Sequence, residues 1–219
     1  MKNIVVKENY SQANQDLFVL SMLKEKRNGV YIEIGAGCWQ GFSNTFILED
    51  GYGWTGLSFE IMEHAAEQFN ERRTNKCICG DATVLDYSAM FEEYNIPKQI
   101  DYLSLDIEPP EQTLSALKKL PMDEYRFSVI TFEHELHYAG THVRDESRKI
   151  FKEYGYELIA SDVKHFGYPY EDWYVDPNVI NNDTYSEFIS TSVEYSDMFN
   201  GHRMYDQLGH RLEIKNDEI

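Results

Sequence analysis

The chain has 219 residues and a formal net charge of −18, from 20 Lys and Arg against 38 Asp and Glu. That length suits one domain with its own core, and fractions of 42% hydrophobic and 14% aromatic exclude a disordered chain. No Lys/Arg run is longer than two, so duplex nucleic acid and anionic membranes are excluded as expected partners; a cationic ligand suits the balance better. The three cysteines, Cys38, Cys77 and Cys79, are odd in number and lack C-x-x-C spacing, which argues against zinc and for a reducing compartment. Cys77 and Cys79 are expected to share one strand face as small apolar groups. With no signal-peptide pattern at the N-terminus and no apolar run near the roughly 18 residues of a membrane span, a cytoplasmic protein is expected.

In chain order, Ser11 is positioned to cap a helix bearing Leu17, Phe18, Leu20, Met22 and Leu23 and ending near Gly29. Strands are predicted at Val30–Ile34, Trp54–Phe59, Lys76–Cys79, Ile100–Asp106, Arg126–Phe132, Tyr156–Val163 and Asp172–Val175. Helices are predicted between them at Ser43–Glu49, Ile61–Arg73, Tyr87–Tyr94, Glu111–Leu120 and His142–Tyr154. This alternation predicts an α/β fold, Rossmann-like, with a mostly parallel sheet and helices on both faces. The last two strands lack a helix between them and must form a hairpin, which places an antiparallel strand at that edge. The expected organisation is a domain over residues 1–180, opened by a helical segment over 1–28, and an acidic extension over 181–219. Residues 160–219 carry a net charge of −8 but also six Tyr, three Phe and Trp173, so the extension is expected to pack on the domain.

Open α/β sheets bind ligands beyond the carboxyl ends of their strands, so the polar residues there matter most. Strand one ends in Glu33-Ile34-Gly35-Ala36-Gly37, where glycine lets a ligand approach the backbone closely. The next glycine is Gly41, one position too late for the dinucleotide fingerprint. Glu33 would repel a pyrophosphate but suits a ligand carrying ammonium and sulfonium groups, such as S-adenosylmethionine. A glycine turn with no ligand is the bland alternative. Glu60, 25 positions after Gly35, ends strand two and suits a ribose diol. Asp81-Ala82 ends strand three and suits an adenine edge, although Asp after Gly is also common turn chemistry.

Tyr31-Ile-Glu-Ile-Gly-Ala-Gly37, Ser43-Asn-Thr45, Gly53-Trp-Thr-Gly56, Phe59-Glu60, Ile100 to Glu108 and Phe132-Glu-His134 together resemble FkbM-like methyltransferases. Tyr154-Gly-Tyr156 and Glu171 to Pro177 extend the similarity, which covers residues 11–180. The resemblance implies a class I S-adenosylmethionine-dependent fold of seven strands, the last antiparallel, and O-methylation of sugar hydroxyls. It further implies Glu33, Gly35 and Gly37 around the methionine end, Glu60 at the ribose, and Asp81 and Ala82 at the adenine; Ala36 and Asp106 complete the expected cofactor-binding set. The sequence departs from the family at Glu108-Pro109-Pro110-Glu111, which resembles the D-P-P-aromatic motif of amino methyltransferases. An N-methyltransferase acting on protein or nucleic acid is therefore an alternative, as is a non-catalytic binding module.

The acceptor, a small molecule or glycan, is expected where Asp106 and Glu108 end strand four and Glu133, His134 and Glu135 end strand five. His134 is the expected general base, with Asp106 or Glu133 orienting it or holding hydroxyls. The acids Asp106, Glu108, Glu133 and Glu135 could instead bind a divalent cation such as Mg2+, which would acidify the hydroxyl. His137, His142, Arg144 and Arg148 suit an anionic part of the acceptor, or surface pairing with Glu146 or Glu153. Trp173, Tyr170 and Tyr174 suit stacking on a sugar face, or a place in the core.

Overall fold

The computed structural model describes residues 9–199 and the short strands at 204–205 and 211–212. The chain runs α1 (Gln15–Met22), β1 (Val30–Ile34), α2 (Phe46–Tyr52), β2 (Thr55–Glu60), α3 (Glu63–Arg72), β3 (Lys76–Cys79) and α4 (Tyr87–Glu93). It continues β4 (Gln99–Leu105), α5 (Pro110–Leu117), β5 (Arg126–Glu133), α6 (Leu136–Ala139), α7 (Thr141–Glu153), β6 (Glu157–His165) and β7 (Tyr168–Val175). Then come α8 (Asn182–Tyr185), a 3-10 turn at Ser186–Phe188, β8 (Ser190–Thr191), α9 (Tyr195–Met198), β9 (Met204–Tyr205) and β10 (Arg211–Leu212).

Eight strands form one sheet in the order β3-β2-β1-β4-β5-β7-β6-β8, and β9 pairs with β10 separately. The strands β1 to β5 are mutually parallel, while β7 runs antiparallel to both β5 and β6. The antiparallel strand therefore lies inside the sheet and not at its edge: the hairpin inserts its second arm against β5. The two-residue β8 then adds in parallel to β6, so the sheet has eight strands where seven were expected.

Strand alternation divides the core into two layers. Tyr31, Tyr102, Val129, Trp173 and Val175 face α1, whose Leu17, Phe18 and Leu20 are fully buried. Ile32, Ile34, Leu103, Leu105, Ile130 and Phe132 face the opposite layer, with Phe91 of α4, Leu114 of α5, and Val143 and Phe151 of α7. In α7 the buried Val143, Ser147 and Phe151 recur every four residues, one apolar stripe on an otherwise charged helix.

Helix α1 ends at Met22, nearly two turns before the expected stop near Gly29. Asn14, not Ser11, takes the N-cap position; the Ser11 hydroxyl donates to the buried Asp16 carboxylate and accepts from the Asp16 amide at 3.4 Å. Trp173 is fully buried with its ring 4.7 Å from that of Phe18, and Tyr170 and Tyr174 are also buried, so this trio is core and offers no stacking surface. Cys77 is buried, but Cys79 at the end of its edge strand is exposed, so the two do not pack together. Residues 181–199 place Tyr185, Phe188, Tyr195 and Phe199 in the layer around α1. Residues 1–8 of the expected N-terminal segment, and most of 200–219 in the expected extension, lie outside the described residues.

Candidate functional site

The strand order reverses between β1 and β4, and a cleft of about 590 Å3 opens at the carboxyl ends of the strands there. Gly35 and Gly37 form its floor at positive φ, +92° and +53°. A Cβ on Gly35 would overlap the Asp106 carbonyl, whereas one on Gly37 would meet open space, so only the first glycine is fixed by packing between β1 and β4. The Gly35 and Ala36 amides both donate to the Phe59 carbonyl, at 3.0 and 3.1 Å, and hold the loop against β2.

Glu60 organises the next wall. Its Oε2 accepts from the Gly37 amide and its Oε1 from the Met62 amide, both at 2.8 Å. Each carboxylate oxygen keeps a second acceptor site for a ligand hydroxyl. Asp81 accepts from the amide and hydroxyl of Thr83, which lower its pKa and fix its side chain at the rim beside Ala82. Asp106 closes the opposite side and accepts from the Asn44 amide at 3.3 Å, while Asn44 also donates to Ser104. Among the described residues the cleft lining includes four carboxylates, Glu60, Asp81, Asp106 and Glu108, and no Lys, Arg or His.

Glu33 is not among them. It is buried with its carboxylate accepting from Ser58 at 2.7 Å, on the same strand face as Tyr31 and toward Arg73. Burial pushes its pKa up to about 7, against the opposing pull of Arg73 and the Ser58 hydroxyl. Arg73 donates to Glu49, Tyr31, Ser43 and Thr45 and to the Trp39 carbonyl, so this network holds the segment after the glycine loop from behind.

The acceptor-side residues divide between the two faces of the sheet. Glu133 shares the face of Thr131 and Val129, and lies against Asp106 and Tyr170 with its Oε2 unpartnered. Burial, then the Asp106 charge, raises its pKa well above the ordinary carboxylate value. Glu171, opposite Glu133 in the β5–β7 register, is raised in the same way by burial. His134, the next residue along, goes the other way. It has no exposed surface, its Nδ1 accepts from the Leu136 amide at 3.2 Å, and its Nε2 lies 3.4 Å from Asp172 and 3.8 Å from Asp162.

The expected role of His134 as base finds no support in this placement: the ring is fully buried, does not line the cleft, and turns its Nε2, which makes no hydrogen bond, toward Asp172 and Asp162. The set His134, Asp162 and Asp172 has the spacing of metal ligands, but Arg148 donates to both carboxylates and Arg144 lies 3.4 Å from Asp162, which supply the countercharge. Arg148 thus pairs with Asp162 and Asp172, while Arg144 pairs chiefly with Asp145 at 2.8 Å and more distantly with Asp162, and the contacts of neither are to Glu146 or Glu153. The second acidic set is Glu108, Glu133 and Glu135, which offer ligand oxygens within 4.8 Å of one another; Asp106 is not one of the three, although Glu133 lies against it.

Several cleft residues were not expected: Gln12 before α1, Phe42, Ile61 and Met62 after β2, and Gln112 in α5. Asn44 carried a signal, since it lies within the Ser43-Asn-Thr45 string. Gln12 carried none, because only the tertiary fold brings it over the cleft.

No family model matches this chain, and no curated protein matches it. Among solved structures it is similar to a protein assigned as an rRNA methylase from Clostridium thermocellum, at 12% identity and a TM-score of 0.52, over 79% of this chain and 97% of that one. It is also similar to a protein assigned as an O-methyltransferase from Klebsiella pneumoniae, at 15% identity and a TM-score of 0.54, over 75% of this chain and 80% of that one. At such identities the likeness establishes architecture: the chain has the Rossmann-like α/β fold of class I methyltransferases.

Proposed function

We propose that this protein is an S-adenosylmethionine-dependent O-methyltransferase of FkbM-like type, acting on a hydroxyl of a sugar or glycoconjugate. The observation that carries the reading is the cleft at the β1/β4 switch point, with two positive-φ glycines, four carboxylates and no basic residue among the described residues that line it. That donor set fits a cofactor whose reactive end carries sulfonium and ammonium charges, and it disfavours a pyrophosphate or a polyanionic acceptor. Gly35, Ala36, Gly37 and Asp106 would hold the methionine end, Glu60 the ribose, and Asp81 with Ala82 the adenine. Glu33 supports the loop from behind through Ser58 and Arg73.

When bound, S-adenosylmethionine supplies an electrophilic methyl group. The protein's part is to align the acceptor oxygen with it and to accept the hydroxyl proton. We assign that proton to Asp106; its place in the cleft lining and the Asn44 side-chain amide that donates to it support the assignment. Glu133 is its buried partner. The alternative of N-methylation through the Glu108-Pro109-Pro110 loop finds no aromatic after the prolines, since Glu111 stands there. Three free cysteines agree with a cytoplasmic site of action. No helix among the described residues is long and apolar enough to cross a membrane.

The test is calorimetric titration with S-adenosylmethionine, followed by radiolabelled methyl transfer to a glycan panel with product analysis. The expected results are saturable binding, weakened by Glu60→Ala, and label on a sugar oxygen. Label on nitrogen would overturn the acceptor assignment, and absence of binding would overturn the whole reading.

A further inference from the structure

We propose that the acceptor is a ring compound bearing a protonated amine, an amino sugar, and that Glu108, Glu133 and Glu135 bind its ammonium group. The inference rests on the reading above and names the substrate class of that same site. Glu108 belongs both to the cleft wall and to the acidic trio, so the trio continues the cleft away from the glycine loop. Three carboxylates converge there within 4.8 Å.

The Oε2 atom of Glu133 is buried without a hydrogen-bond partner, although its carboxyl belongs to this trio. An unpaired polar atom in such a place is costly unless a ligand meets it. Burial, and then the like charges of Glu108 and Asp106, raise the pKa of Glu135, so a cation between these groups would relieve the repulsive part on each of them.

The same rim distinguishes an organic cation from a bare metal ion. The Glu135 amide donates to the Tyr170 carbonyl at 2.8 Å, and the Glu135 carbonyl accepts from the Tyr138 amide at 2.8 Å. His137 stacks on Tyr168 with centroids 4.9 Å apart, and its Nδ1 lies 3.4 Å from the Pro169 carbonyl. Tyr138, Phe166 and Tyr168 are 73%, 77% and 58% exposed; Tyr138 lies one helical turn after Glu135, and Phe166 packs on His165 at 4.4 Å. Phe166 sits at φ +51° at the hairpin tip, a conformation that a bulky residue adopts only under constraint, and the Gly167 amide is tied to Glu194 at 3.0 Å. Aromatic faces beside converging carboxylates recognise alkylammonium groups and the apolar faces of sugar rings. A metal ion would have use for the acids alone.

The test compares a β-1,4-linked glucosamine tetramer with its fully N-acetylated counterpart, which has the same ring and linkage but no charge. Binding to the full chain is followed by saturation-transfer NMR and calorimetry in the presence of S-adenosylhomocysteine. The amine form is expected to bind and the acetylated form to bind at least about tenfold more weakly. Glu108→Gln and Glu135→Gln, both at solvent-accessible positions, are expected to weaken the amine form by a similar factor, and Phe166→Ala to weaken it as well. Equal binding of the two tetramers, binding of neither, or indifference to Glu108→Gln and Glu135→Gln would overturn the proposal. So would Mn2+ seen by electron paramagnetic resonance to bind at micromolar concentration in a manner abolished by Glu135→Gln. Cofactor binding is measured separately, so loss of the methyltransferase reading would be seen apart from loss of this one.

Discussion

Replacing Glu33 with Gln separates a buried supporting role from direct cofactor contact. Its carboxyl is buried, accepts from Ser58, and has a pKa of about 7 in the fold, against about 4.3 for Glu in an unfolded chain. Burial raised the native value, so the native state keeps a proton that the unfolded chain has released. The associated stability is fully present below about pH 4.3 and is lost as the pH rises through about 7. Integrated between pH 5.5 and 8.5, the loss is about 2 kcal/mol, at roughly 1.4 kcal/mol per pH unit while the difference persists. Gln keeps the size and an acceptor for Ser58 but cannot titrate. Urea unfolding of both proteins across that range should show wild type losing about 2 kcal/mol relative to Glu33→Gln as the pH rises. S-adenosylmethionine affinity at pH 8 should change less than about threefold, since no Glu33 atom lines the cleft. A stability difference that stays constant with pH, combined with a large loss of affinity, would refute the argument and return Glu33 to the cofactor.

Glu133→Gln should leave cofactor affinity intact by calorimetry while lowering kcat. The pH–rate profile should lose an inflection lying above the ordinary carboxylate range, because burial and Asp106 raise the native Glu133 value. His134→Gln should lower the midpoint of thermal unfolding and change kcat by less than about tenfold; a hundredfold fall in kcat at unchanged stability would restore His134 as the base. Arg148→Met leaves the buried Asp172 without its bidentate partner at 2.7 and 2.8 Å and should cost about 3 kcal/mol in urea unfolding. Gly35→Ala must displace the Asp106 carbonyl and should abolish calorimetric cofactor binding, whereas Gly37→Ala meets only its positive-φ cost of about 1 kcal/mol.

Much of the architecture was legible because hydrophobic periodicity is local. The strands from Val30 to Phe132, and the amphipathic stripe of α7, follow from the pattern of apolar residues alone. The acids and glycines at the strand ends were legible for the same reason: a parallel sheet brings successive strand ends to one edge. What local pattern could not supply is where the β6–β7 hairpin joins the sheet. Insertion of β7 between β5 and β6 depends on the fit of Trp173 and Val175 against α1, a contact across more than 150 residues of chain.

Phase along a strand accounts for the difference at the acceptor side. Glu133 and His134 are neighbours in sequence, and side chains at consecutive strand positions leave on opposite faces. One therefore meets Asp106 and Tyr170, and the other meets Asp172 and Arg148. An α/β chain with acids at its strand ends is already written in short segments, because periodicity and strand-end chemistry are local properties. Only the tertiary structure decided which of those acids face the cleft, because burial and countercharge come from α1, α7 and Arg73. These are distant in the chain and fixed by packing.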